Sequence, residues 1–198
     1  MPDCGTLGSE LFQYYADNPS EGHAFTGAMS ETSIRVADEI ARVVDTSAAK
    51  LVVDIGGASG TLIAVLLNRN PALMGTILDR PHVLPRAKAA IAESGLSSRC
   101  GVVEGDFFLG VPEADMYLLK HIIHDWDDDR SLRILSNCAR ALRPNGRVVL
   151  IERILADDGA AGPASLADLN MLVVLPGGSA HCGNMLLCLR APAFASIR

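Results

Sequence analysis

The sequence predicts an α/β fold, a doubly wound and mostly parallel sheet, on three observations. Short apolar runs alternate regularly with stretches of helical periodicity. One such run, Leu51-Val52-Val53-Asp54-Ile55, opens straight into the turn Gly56-Gly57-Ala58-Ser59-Gly60. The next run ends in an acid, Asp79, about 20 residues further on, the spacing of a nucleoside-binding βαβ unit. Composition agrees. The chain has 198 residues, 49% hydrophobic and 20% charged, enough for one globular domain with a substantial core and a short extension. A formal net charge of −6 without a basic block speaks against nucleic acid or an anionic membrane as partner. No apolar run approaches the ~20 residues of a membrane span, and no signal-peptide core is present, so a cytoplasmic protein is expected. The five cysteines form no C-x-x-C pair, which fits reduced thiols.

Residues 1–45 read as a helical extension. Glu10 to Tyr15 supply a turn or two of helix that Asn18-Pro19-Ser20 stops. Phe25, Met29, Ile34, Ala37, Ile40, Ala41 and Val44 then mark an amphipathic helix over 20–44, expected to break near Glu31-Thr32-Ser33. Residues 46–178 form the main domain. Its first strand is 51–55, followed by a helix over 61–67 and a second strand over 74–78 that Asp79 ends. A helix over 83–94 starts among Pro81 and Pro85 and closes at Gly95. Strands follow at 100–104 and 114–119. A helix over 127–142 carries aspartates in its first turn, where the macrodipole favours them. Pro144-Asn145-Gly146 is a turn, and 147–151 is the fifth strand. There is no internal repeat and no low-complexity tract.

The chemistry concentrates at the glycine turn. Glycines allow a sharp turn and close approach of a ligand, and the helix that follows offers free N–H groups to it. An acid in the position of Asp79 accepts hydrogen bonds from ribose hydroxyls. The dinucleotide pattern G-x-G-x-x-G fits no register here; the sequence is D-x-G-G-x-x-G, with Asp54 before the first glycine. Acids suit a cationic ligand better than a pyrophosphate. This favours S-adenosylmethionine over a nicotinamide cofactor, with the oxidoreductase kept as an alternative.

Four ordered blocks carry a family resemblance: Asp54-Ile-Gly-Gly-Ala-Ser-Gly60, Asp79-Arg-Pro-His-Val83, Gly105-Asp-Phe-Phe108 and His121-Ile-Ile-His-Asp-Trp-Asp127. They resemble the plant caffeate-type and hydroxyindole-type O-methyltransferases and their bacterial secondary-metabolite counterparts, from about Phe25 to Gly178. The resemblance implies a class I, Rossmann-like methyltransferase fold, S-adenosyl-L-methionine as cofactor, and a small aromatic or polyketide-like hydroxyl acceptor. It also implies a homodimer built through an N-terminal helical domain that this sequence does not carry.

Position by position, the resemblance implies that Asp54, Gly56, Gly57 and Gly60 border the cofactor's amino-acid part and that Asp79 holds its ribose. Asp106 and Phe107 would meet the adenine, and Lys120 would approach the cofactor from the fourth strand. His124 is implied as the general base and Glu152 as the carboxylate that orients it. Met29, Asp125, Asn170 and Met171, with Asp168, are implied to line the acceptor pocket. A histidine suits the base role because it titrates in the useful range. His121 sits three residues before His124, so both could share a helical face. Metal ligation by these residues and the acids at 125 and 127–129 is conceivable, but capping of the next helix is the simpler reading, so no metal is expected.

The sequence departs from the family pattern after Pro176-Gly177-Gly178. Residues 179–198 form an atypical tail, too short for a helix and a closing β-hairpin, which is expected to leave the fifth strand as a sheet edge. His181, Cys182 and Cys188 in that tail make too thin a set for a metal site. The departures leave a second functional expectation beside the enzyme, a catalytically inactive cofactor-binding remnant.

Overall fold

The structure, a computed structural model, describes residues 13–15, 17–152 and 188–190. Its centre is a six-stranded sheet: β1 (Leu51–Ile55), β2 (Met74–Asp79), β3 (Cys100–Glu104), β4 (Ala114–Lys120), β5 (Leu142–Ile151) and β6 (Cys188–Arg190), in the order β3-β2-β1-β4-β5-β6. The first five strands are parallel and β6 is antiparallel. Helices α1 (Pro19–Val43), α2 (Thr61–Arg69), α3 (Leu84–Glu93) and α4 (Asp128–Ala141) complete the fold. The predicted class, strand order of alternation and helix positions are all present.

The two faces of the sheet explain the apolar runs. Val52, Met116, Leu118 and Val149 point into one cluster with α1, α2 and α3, through Ala37, Ile40, Leu62, Ile63, Leu66, Ala87 and Ile91. Val53, Ile55, Tyr117, Leu119, Val148 and Leu150 point into the other, against Ile134 and Cys138 of α4. Alternate residues thus serve opposite faces, and a strand covered on both must be apolar throughout. Each fully buried aliphatic side chain contributes ~1.5–3 kcal/mol. At the amino end of the sheet, one Asp115 oxygen accepts the N–H groups of Lys50 and Leu51 at 2.9 and 2.8 Å, pinning the start of β1 to that of β4.

Three expectations are corrected. Helix α1 runs unbroken through 31–33, because Ser33 turns its hydroxyl onto the Met29 carbonyl at 2.9 Å and is buried, while Ala37, Ile40 and Ala41 dock on the core. Strand β5 begins before the predicted turn, not after it. Leu142 pairs with Ala114 and Arg147 with Met116, so Pro144-Asn145-Gly146 is a bulge inside the strand, with Asn145 at φ +62°. A side chain at 146 would meet the Asp115 carbonyl at 2.8 Å, which explains the glycine. Finally, β5 is not the edge of the sheet: Cys188, Leu189 and Arg190 of the tail pair with Val149, Val148 and Arg147.

The chain leaves β1 toward β2 and β3, then crosses back to β4 on the other side. That reversal lies between β1 and β4, and open α/β sheets form their ligand crevice at the carboxyl ends of the strands on either side of such a reversal.

Candidate active site

The first half of the crevice is made of backbone. After β1, Gly56 and Gly60 take φ +63° and +72°, and Ala58 takes +50°, conformations that L side chains rarely adopt. Gly57 is required for a different reason: a Cβ there would lie 2.8 Å from the Asp54 carboxylate. The turn is tied to β2 at both ends. Gly56 N–H donates to the Leu78 carbonyl at 2.8 Å, and Asp79 accepts from Ala58 N–H at 2.8 Å and from Arg80 N–H at 2.7 Å. Asp106, after β3, accepts from Phe108 N–H at 2.8 Å and from the Arg80 guanidinium at 2.9 Å. Arg80, unassigned in the sequence reading, therefore sits between the two acids; the Asp79-Arg80 dipeptide was the only signal for it.

The electrostatics suit a cation. Asp54 is 2% exposed, and burial raises its carboxyl to about 7, against the pull of Lys120 and with a further push from Asp79. Burial also raises Asp79, against its two backbone hydrogen bonds and the nearby His82 and Arg80. A positive charge brought into this space would favour the ionised form of both acids. Phe107 packs edge-on against Phe108 and Trp126, with ring centroids 4.9 and 6.1 Å away, and its carbonyl accepts from Asn137 at 2.6 Å.

The second half is made of side chains. A 3₁₀ turn (Ile123–Asp125) follows β4, and Glu152 follows β5. Parallel pairing of Lys120 with Ile151 brings these ends together. Glu152 accepts N–H bonds from Ile122 at 3.2 Å and Ile123 at 3.0 Å with one carboxylate oxygen. Its other oxygen lies 2.5 Å from His124 Nδ1, and Asp125 Oδ1 lies 3.2 Å from His124 Nε2. Burial lowers the affinity of His124 for a proton, but the two carboxylates outweigh it and lift the imidazole to about 9. Burial raises Asp125, opposed by the same histidine.

The halves meet where Gly56 faces Ile122: a Cβ at residue 56 would come within 2.5 Å of the Ile122 side chain. Asp54, Gly56, Gly57, Gly60, Asp79, Asp106, Phe107, Lys120, His124, Asp125 and Glu152 all stand at the carboxyl edge of the sheet or in the loops that leave it. Met29 lies exposed on α1, and Asn170 and Met171, like Asp168, lie outside the described residues. His121 does not share a helical face with His124. Its backbone is left-handed, φ +56°, yet its ring stands 5.2 Å from that of His124. The expected cap is Asp127, which accepts from Arg130 N–H at 2.9 Å. No described helix is long and apolar enough to cross a membrane.

Comparison with known proteins agrees with this architecture. A family model for the O-methyltransferase domain matches residues 4–184. The mitomycin biosynthesis 6-O-methyltransferase of Streptomyces lavendulae is 39% identical over 87% of this chain and 49% of its own length. Phenazine O-methyltransferase PhzM of Lysobacter antibioticus is 38% identical over 85% of this chain and 50% of its own. Among solved structures, the O-methyltransferase NcsB1 from neocarzinostatin biosynthesis, in complex with S-adenosyl-L-homocysteine and 1,4-dihydroxy-2-naphthoic acid, superposes with a TM-score of 0.77 at 34% identity, covering 84% of this chain and 50% of that one. The chain thus spans about half the length of the curated relatives it matches. With a family match across most of its residues and relatives well above 30% identity, the chain belongs to the O-methyltransferase family.

Proposed function

We propose that this chain carries the S-adenosyl-L-methionine site and the general base of an O-methyltransferase acting on a hydroxyl of a small aromatic or polyketide-type molecule. One observation carries the reading: a glycine turn with its acids faces a histidine–glutamate pair across the point where the strand order reverses. The cofactor fits the first half. Gly57 lets the Asp54 carboxylate pack directly against the turn, the Asp79 carboxylate is held in place by two backbone N–H groups, and the buried acids favour a cation. When bound, the cofactor supplies a methyl group on an electrophilic sulfonium. Asp79 would hold the ribose hydroxyls, Asp106 the adenine amine, and Asp54 with Gly56, Gly57 and Gly60 the amino-acid end; Lys120 would keep Asp54 partly ionised.

His124 would take the proton of the acceptor hydroxyl at Nε2. Glu152 holds Nδ1, and its own orientation is set by two backbone N–H groups, so the ring is fixed before an acceptor arrives. Asp125 occupies the Nε2 side and holds a proton there, so an acceptor must share or displace that contact. The carboxylates that orient the base also make it cationic near neutrality, and proton abstraction needs the neutral ring. The names of the relatives, from mitomycin, phenazine and neocarzinostatin chemistry, support phenolic and related acceptors.

The test is transfer of a labelled methyl group from S-adenosylmethionine to a panel of hydroxynaphthoates, hydroxyphenazines and simple phenols. Label in the ether product, lost in His124→Ala, supports the reading. Cofactor binding without transfer to any acceptor supports the inactive-remnant alternative instead.

A further inference from the structure

We propose that His121, His124 and Glu152 form a site for one divalent transition-metal ion of the zinc type, and that occupation of this site switches off the base. One ring nitrogen of each histidine and one carboxylate oxygen of Glu152 lie within 4.8 Å of one another, and all three side chains are half-buried. Two imidazoles and one carboxylate are a set that Zn²⁺ takes with a fourth position left for water. Tetrahedral bonds of ~2.0–2.1 Å place ligand atoms roughly 3.3 Å apart, within reach of side-chain rotations from the observed spacing. The 2.5 Å contact between His124 and Glu152 need only open slightly.

Two further observations point the same way. His121 reaches the cluster only through its left-handed backbone, a conformation that is uncommon outside glycine and is concentrated at working sites. Its N–H is tied to the Ile151 carbonyl at 3.0 Å, the residue before Glu152, so the two candidate ligands move as one unit. The Glu152 oxygen that faces Ile122 and Ile123 is already hydrogen-bonded, an outer shell of the kind that fixes a ligating carboxylate.

Binding exchanges a proton for a metal. The proton held between His124 and Glu152 leaves to solvent, metal–nitrogen and metal–oxygen bonds form, and no electrons are transferred. A neutral imidazole with a metal on one nitrogen carries hydrogen on the other, so His124 has no lone pair left for an acceptor's proton. Metal binding stands without the proposed function; the blocking of turnover rests on His124 being the base.

The experiment titrates the full, chelator-stripped chain with Zn²⁺ against a chromophoric chelator, in wild type, His121→Gln and His124→Gln, each shown to unfold cooperatively. One ion per chain and at least about tenfold weaker binding in either variant are expected. Co²⁺ should give ligand-field bands without thiolate charge transfer, which separates this site from cysteine. Absence of binding, wild-type affinity in either variant, or a thiolate band overturns the site. In the methylation assay Zn²⁺ should inhibit wild type, while His121→Gln keeps its basal turnover and resists the metal. Equal inhibition of both overturns the switch, and uninhibited wild type carrying bound zinc overturns the base assignment while the site stands.

Discussion

The two sides of the crevice are built from different materials. On the β1–β3 side, the surface is backbone held in left-handed turns, with Asp79 locked by the N–H groups of Ala58 and Arg80. On the β4–β5 side, it is a chain of side chains, Asp125 to His124 to Glu152, whose geometry depends on two strands pairing correctly. The first is preorganised by local conformation and can hold a ligand whether or not chemistry follows. In the proposed function, this histidine–carboxylate chain manages one proton and takes no part in holding the cofactor. Binding and chemistry should therefore separate under mutation.

The largest expected effect lies on the chemical side. His124→Ala should lower kcat by about 10²–10⁴-fold, the usual worth of a general base, and leave the affinity for S-adenosylhomocysteine unchanged, as read by single-turnover kinetics and calorimetry. Glu152→Gln should cost less, since its amide oxygen can still accept the N–H groups of Ile122 and Ile123. Next comes the binding side. Gly57→Val puts a side chain onto the Asp54 carboxylate and should weaken S-adenosylhomocysteine at least about tenfold, ~1.4 kcal/mol, in the same calorimeter.

The pH profile sharpens the contrast further. With His124 raised to about 9, kcat/KM should climb with pH and level off above that value; Asp125→Asn removes one of the carboxylates and should move the midpoint down. Linkage carries the same sign. A histidine whose folded pKa lies above its unfolded value of ~6.5 stabilises the fold fully below that pH and loses the contribution as pH rises through about 9. The stability gap between wild type and His124→Gln in urea should shrink over that window. The smallest effect lies outside the crevice. Tyr117, fully buried, donates its hydroxyl to the Pro112 carbonyl at 2.6 Å, so Tyr117→Phe should cost about 1 kcal/mol and a few degrees of Tm without touching ligand affinity.

What the sequence disclosed follows the same division. The glycine turn was legible because contiguous residues encode it: positive φ at 56 and 60 and close packing at 57 each need glycine for a local reason. Strand and helix positions were legible from apolar runs buried on two faces. The His124–Glu152 contact joins residues that only the β4–β5 register brings together, and the family resemblance supplied that pairing where spacing could not. The unbroken α1 was misread because three polar residues look like an end, while a serine hydroxyl bonded back to the helix conceals one. The bulge at 144–146 was read as a turn because Pro-Asn-Gly signals reversal but not how the chain pairs on either side. His121 was placed on a helical face by its spacing, and its left-handed backbone carries no sequence signal.

The separation of binding from chemistry is tested most directly by calorimetric titration of S-adenosylhomocysteine into wild type, Asp79→Ala and His124→Ala. The two-sided crevice predicts a measurable affinity for wild type, the same affinity within about twofold for His124→Ala, and at least about tenfold weaker binding for Asp79→Ala. Loss of affinity in His124→Ala, or none in Asp79→Ala, would contradict it.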